Sequence, residues 1–114
     1  AVFAGLQKRL RIEENRLEAG QTLTITLPPS ANYGAYGLLI MCTGTAAGQH
    51  ALIVAIGRGN NTNYHVLQNI ITGSNLTVTD NGGTLTITNN HGSWGVNITT
   101  AVFFDSAPLS FAVS

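Results

Sequence analysis

From Gly20 onward the chain alternates apolar and polar residues with a period of two, which is the pattern of half-buried β-strands. Leu23, Ile25 and Leu27 alternate with Thr22, Thr24 and Thr26, and Pro28-Pro29 ends that strand. Further on, NLTVT, the turn DNGG at 80–83 and TLTIT predict a β-hairpin. Leu76 and Val78 face the core beside Leu85 and Ile87, and the Asn/Gly turn supplies positions that tolerate positive φ. A longer alternation runs from Trp94 through Val96, Ile98, Thr100, Val102 and Phe104, enough for one strand or for two joined at a bend.

Three segments are apolar on both faces: GLLIMC (37–42), ALIVAIG (51–57) and VLQNII (66–71). No helix is available to cross over a parallel sheet, so these read as antiparallel strands with two buried faces. One face packs in a sandwich. The other calls for a second copy about a symmetry axis, or for covering loops. The pattern as a whole predicts an all-β fold, an antiparallel β-sandwich.

Residues 3–17 fit two readings. As a helix, Phe3, Leu6, Leu10 and Leu17 form one seam interrupted by Glu13, with Ala19-Gly20 as a stop. As a strand, Leu10 and Ile12 point inward while Arg9, Arg11 and Glu13 point out. Two heptads are too few to decide by period. The organisation expected is a charged N-terminal segment over 1–19, either a shaft end or a first strand, followed by the sandwich over 20–114.

Charge supports that division. Lys8, Arg9, Arg11, Glu13, Glu14, Arg16 and Glu18 are seven of ten charged residues, and the rest of the chain has Arg58, Asp80 and Asp105. Charged residues are 9% of the 114, against roughly 25% in an average domain. The 14 Thr, 11 Asn and 13 Gly then predict a surface covered by hydroxyls and amides. A net charge of zero gives no electrostatic footprint for nucleic acid. No apolar stretch approaches the roughly 20 residues that span a bilayer, so membrane insertion is not expected. The chain begins at Ala1 and not Met, which fits an excised piece of something longer.

Chemistry is sparse. Cys42, inside GLLIMCTG, reads as a buried unpaired thiol. His50, His65 and His91 lack the short spacings of metal sites, and Asp80 alone cannot supply a calcium shell. Asp80, His91 and Ser93 lack the context of a catalytic triad, and outside 8–18 only Asp80 and Asp105 remain for paired-carboxylate hydrolysis. The sequons at Asn60, Asn75 and Asn97 follow from composition. The sequence therefore predicts neither catalysis nor a cofactor.

What remains is recognition. Sugars are held by planar amides and stacked on aromatic faces. The candidates are Tyr33 and Tyr36 in SANYGAYG, Asn61, Asn63, Tyr64 and His65 in NNTNYH, and His91 and Trp94 in NNHGSW. Against this, Trp94 begins an alternating run and reads first as a core residue, Tyr33 and Tyr36 equally well pin a loop, and Asn/Gly clusters form ordinary turns.

The charged segment, the phrase LEAGQTLTITLP and the run ending GGTLTITNN…WGVNITTAVFFD together resemble the C-terminal knob domains of bacteriophage tail fibres, tail spikes and tail needles. The likeness is of style, and no residue takes a role from it. It implies a homotrimeric sandwich, jelly-roll or tumour-necrosis-factor-like, at the tip of a shaft on the virion tail. Such a domain is made in the bacterial cytoplasm and touches a host surface glycan or other envelope component. Trimeric tips of spore-surface filaments and complement-like proteins look similar, but this chain lacks their collagen-like repeat.

Overall fold

The computed structural model describes residues 11–27, 35–46, 48–58, 65–81, 83–105 and 109–114. Among these the strands in chain order are β1 (Arg11–Leu17), β2 (Thr22–Thr26), β3 (Ala35–Gly44), β4 (Ala51–Arg58), β5 (His65–Thr72), β6 (Leu76–Asp80), β7 (Thr84–Asn89), β8 (Val96–Asp105) and β9 (Ser110–Val113). They form two antiparallel sheets, one of five strands in the order β1-β8-β3-β4-β5 and one of four in the order β6-β7-β2-β9. The fold is an antiparallel β-sandwich.

The core lies between the sheets. Leu38, Ile40, Ile53, Ile98 and Val102 come from the larger sheet and meet Leu23, Ile25, Leu85 and Ile87 of the smaller one. Each is almost wholly removed from water, which is worth about 1.5–3 kcal/mol per aliphatic side chain. The predicted hairpin is β6-β7, with Val78 opposite Ile87, and the run after Trp94 is the single long strand β8. The three two-faced segments are β3, β4 and β5, adjacent and antiparallel.

Over residues 11–17 the strand reading holds, because β1 pairs along its whole length with β8. Residues 3–10 lie outside the described residues. The phase of β1 is opposite to the expectation: Leu17 is buried, so period two turns Ile12, Glu14 and Arg16 outward, and Ile12 is 57% exposed. Arg11, Glu13 and Asn15 then face the same side as Val102, Thr100 and Ile98. At this edge an Arg11–Glu13 ion pair of 3.1 Å answers the charge, while Asn15 Oδ1 is buried without a hydrogen bond among the described residues.

The two outer faces differ in chemistry. On the smaller sheet Thr22, Thr88 and Thr77 form one row across β2, β7 and β6, and Thr24, Thr86 and Thr79 form the next. The Thr22 and Thr88 hydroxyls bond at 2.9 Å. That face is the hydroxyl surface the composition predicts. On the larger sheet the row Ile12, Ala101, Leu39 and Val54 crosses four strands, flanked by Met41 and Ile56. Met41, Ile56 and Phe103 are each about half exposed. Phe103 is the extra residue where the β3-β8 register shifts, and Ile70 the extra residue where β4-β5 shifts; both are exposed.

Candidate functional site

Alternation along TLTITN puts Asn89 on the same face as Leu85 and Ile87, so an amide is carried into the core at the end of β7. It is fully buried, as is Gln49 just before β4. Buried amides must be paired, and these two pair with each other and with the loops around them. Gln49 Nε2 donates to Asn89 Oδ1 (3.2 Å) and to the Trp94 carbonyl (2.8 Å). Asn89 Nδ2 donates to the same carbonyl (2.9 Å) and to those of Leu17 and Glu18 (3.3 Å each). The backbone N–H groups of His91 and Ala46 donate to Asn89 Oδ1 and Gln49 Oε1. Three chain crossings at one end of the sandwich are thereby tied to one pair of side chains.

The loop between β7 and β8 is held from both sides. His91 Nδ1 accepts from the N–H groups of Ser93 and Trp94, both at 3.0 Å, while the Trp94 carbonyl is gripped from below. Trp94 therefore has a fixed backbone and a side chain 52% exposed. A half-exposed indole on an anchored backbone offers a stacking face to an apolar ring surface.

Beside this loop the outer face of the larger sheet becomes polar. Arg16 lies opposite Asn97, Glu14 opposite Thr99, and Thr43 also opposite Asn97. Arg16 donates through Nε to Glu18 (2.8 Å) and through Nη1 to Asn97 Oδ1 (3.1 Å). Its guanidinium rests against Gly95, where a Cβ would collide with it. Glu14, Arg16, Thr43, Asn97 and Thr99 line an open groove of about 520 Å³. The Arg16–Glu18 pair is exposed and is worth little to stability, so its effect is to fix the guanidinium in the groove wall.

The candidates named from sequence fall differently. Tyr33, Asn61, Asn63 and Tyr64 lie outside the described residues. His65 opens β5 opposite Gly57, its side chain not among those described. Tyr36 is buried, not presented at the surface, because it shares the inward phase of Leu38 and Ile40. His91 is partly buried and shapes the loop from within. Trp94 is the reverse of its first reading: β8 begins at Val96, so Trp94 sits in the loop and not on the core face. Glu14, Arg16, Thr43, Asn97 and Thr99 were not singled out by sequence reasoning. The polar phase of β8, Asn97 and Thr99 between Val96, Ile98 and Thr100, was the available signal.

Two buried acids give the fold a pH limit. Burial pushes the Cys42 thiol up from 9.0 to about 12. Burial, with the Asp80 charge adding to it, pushes the Tyr36 hydroxyl from 10.0 to about 12. The folded state keeps protons that the unfolded chain loses above pH 9 to 10, so stability is full below that range and declines toward pH 12. Urea midpoints measured across this window should fall as the pH rises. Replacing Cys42 with Ala should remove the part of the fall that begins near pH 9.

No protein-family model matches the chain, and no curated protein matches it. Among solved structures it is similar to a tailspike protein, gp49 of the Acinetobacter baumannii bacteriophage Fri1, described as a capsular polysaccharide depolymerase. The TM-score is 0.56 at 16% sequence identity, over 90% of this chain and 19% of that one. The chain thus spans about a fifth of that protein's length, and the likeness is one of fold.

Proposed function

We propose that this chain is the tip domain of a bacteriophage tail appendage on the virion, assembled as a homotrimer and turned toward a host surface glycan or other envelope component. The observation that carries the reading is the sidedness of the sandwich. One outer face is a threonine surface suited to water, and the other offers Ile12, Leu39, Met41, Val54, Ile56 and Phe103 to a partner. The likeness to a tailspike fold supports the setting. In solution the mass should be three times the 12.0 kDa of one chain by light scattering. Replacing Met41 with Lys and Phe103 with Glu together should release monomers. A wild-type monomer overturns the trimer.

The alternative is a trimerisation cap with no ligand of its own, which binding to no glycan would favour. Enzymatic activity is assigned to the neighbour as a whole, and this chain is read as a non-catalytic appendage. Turnover of capsular polysaccharide by this chain alone would overturn that reading.

A further inference from the structure

The groove at the polar end of the larger sheet has a donor and acceptor pattern that points to one ligand chemistry. Glu14 makes no hydrogen bond among the described residues, so both carboxylate oxygens are open acceptors on the outer face. Asn97 spends Oδ1 on Arg16, which leaves its Nδ2 group to donate outward. Thr43 and Thr99 each add a hydroxyl that can donate or accept. Arg16 is fixed by Glu18, Asn97 and the space above Gly95. Trp94, half exposed, precedes Gly95, against which the Arg16 guanidinium rests. A volume of about 520 Å³ lies within the roughly 300–1,000 Å³ of small-ligand sites.

We infer that this groove is a subsite for a neutral saccharide, with Glu14 accepting from adjacent ring hydroxyls, Asn97 donating to a ring or hydroxyl oxygen, and Trp94 offering the stacking face. The inference rests on the glycan-facing reading above and assigns it to particular residues. Neutral sugars fit best because the charges here, Glu14 and Glu18 against Arg16, leave one excess negative charge, which repels a uronic or sialic carboxylate. A metal ion is not indicated, since a single unpaired carboxylate cannot satisfy a cation that prefers six to eight oxygens. An apolar cofactor finds no apolar floor, since Ile98, the apolar residue in the lining, keeps its side chain in the core.

The test is an array of neutral and acidic bacterial surface oligosaccharides, followed by titration of the best neutral binder into ¹⁵N-labelled protein. The expected result is binding confined to neutral glycans, with shifts at the Asn97 side-chain amide and at the indole N–H of Trp94, the chain's one tryptophan. E14Q and N97A, both exposed positions, should keep the wild-type spectrum elsewhere and bind about five- to tenfold more weakly, the loss expected for one hydrogen bond to a charged group or its neutral counterpart in an open groove. Neutral binding that survives both substitutions unchanged, or binding to acidic glycans alone, overturns the groove but leaves the glycan-facing reading standing. A wild-type protein that binds no glycan on the array overturns both.

Discussion

Replacing Asn89 with Ala should lower the unfolding free energy by about 3 kcal/mol or more, because it orphans several buried polar groups at once and opens a cavity. The carbonyls of Leu17 and Glu18 lose their Asn89 donor, and the His91 N–H loses its Asn89 acceptor. Gln49 keeps its bond to the Trp94 carbonyl, so the loop between β7 and β8 loosens without being cut free. Asn89→Leu fills the space but leaves the same groups unpaired, and should lose nearly as much. Urea unfolding followed by circular dichroism measures the global loss, and Trp94 fluorescence reports the loop. A loss under about 1 kcal/mol for both variants would show that water replaces the amide, since that is the worth of one ordinary hydrogen bond.

Gly73→Ala is the second large effect. Gly73 sits directly on the backbone carbonyl of Gly48, and an added Cβ would collide with main-chain atoms that have no rotamer to escape into. The contact cannot shift alone, because Gly73 N–H donates to the His50 carbonyl (2.7 Å) and Asn75 N–H to that of Gly48 (2.9 Å). Gly48 is itself at φ +86°, a conformation other residues adopt at a cost. A loss of about 2–4 kcal/mol is expected, in the range of overpacked and strained core positions. Gly95→Ala makes the informative contrast: the three atoms nearest its added Cβ all belong to the Arg16 guanidinium, the end of a flexible side chain. It should cost under about 1 kcal/mol, as most surface changes do, while displacing Arg16 from Asn97. Equal losses for the two glycines would contradict this account.

Much of the fold was legible along the chain. Leu23, Ile25, Leu85 and Ile87 declared their inward phase by alternating with threonine, and the Asn/Gly turn declared the β6-β7 hairpin. The two-faced composition of β3 and β4 announced the apolar outer face that Met41 and Ile56 present. Where alternation was weak, it misled. In β1 the apolar residues Ile12 and Leu17 are five apart, so they cannot share a strand face, and only the burial of Leu17 settled which of them turns in. Trp94 looked like the first member of an alternating run because the register continues on paper through Gly95, where the chain is in fact a loop.

The candidate site was hidden for a different reason. Local periodicity fixes which face a residue occupies, but not which strand lies beside it. Arg16 and Asn97 are 81 positions apart and meet only because β1 is laid against β8. Gln49 and Asn89, 40 apart, are likewise partners only once both sheets are closed.

By itself the sequence determined an antiparallel sandwich, the identity of most of its core, and a body whose polar residues are chiefly hydroxyls and amides rather than charges. These follow from period-two patterning and composition, which are properties of neighbouring residues. Tertiary structure alone decided that β1 joins the larger sheet, that its Arg16 meets Asn97 in a groove, and that a buried amide pair holds the Trp94 carbonyl. Those depend on strand order, which is set by packing and closure across the whole chain.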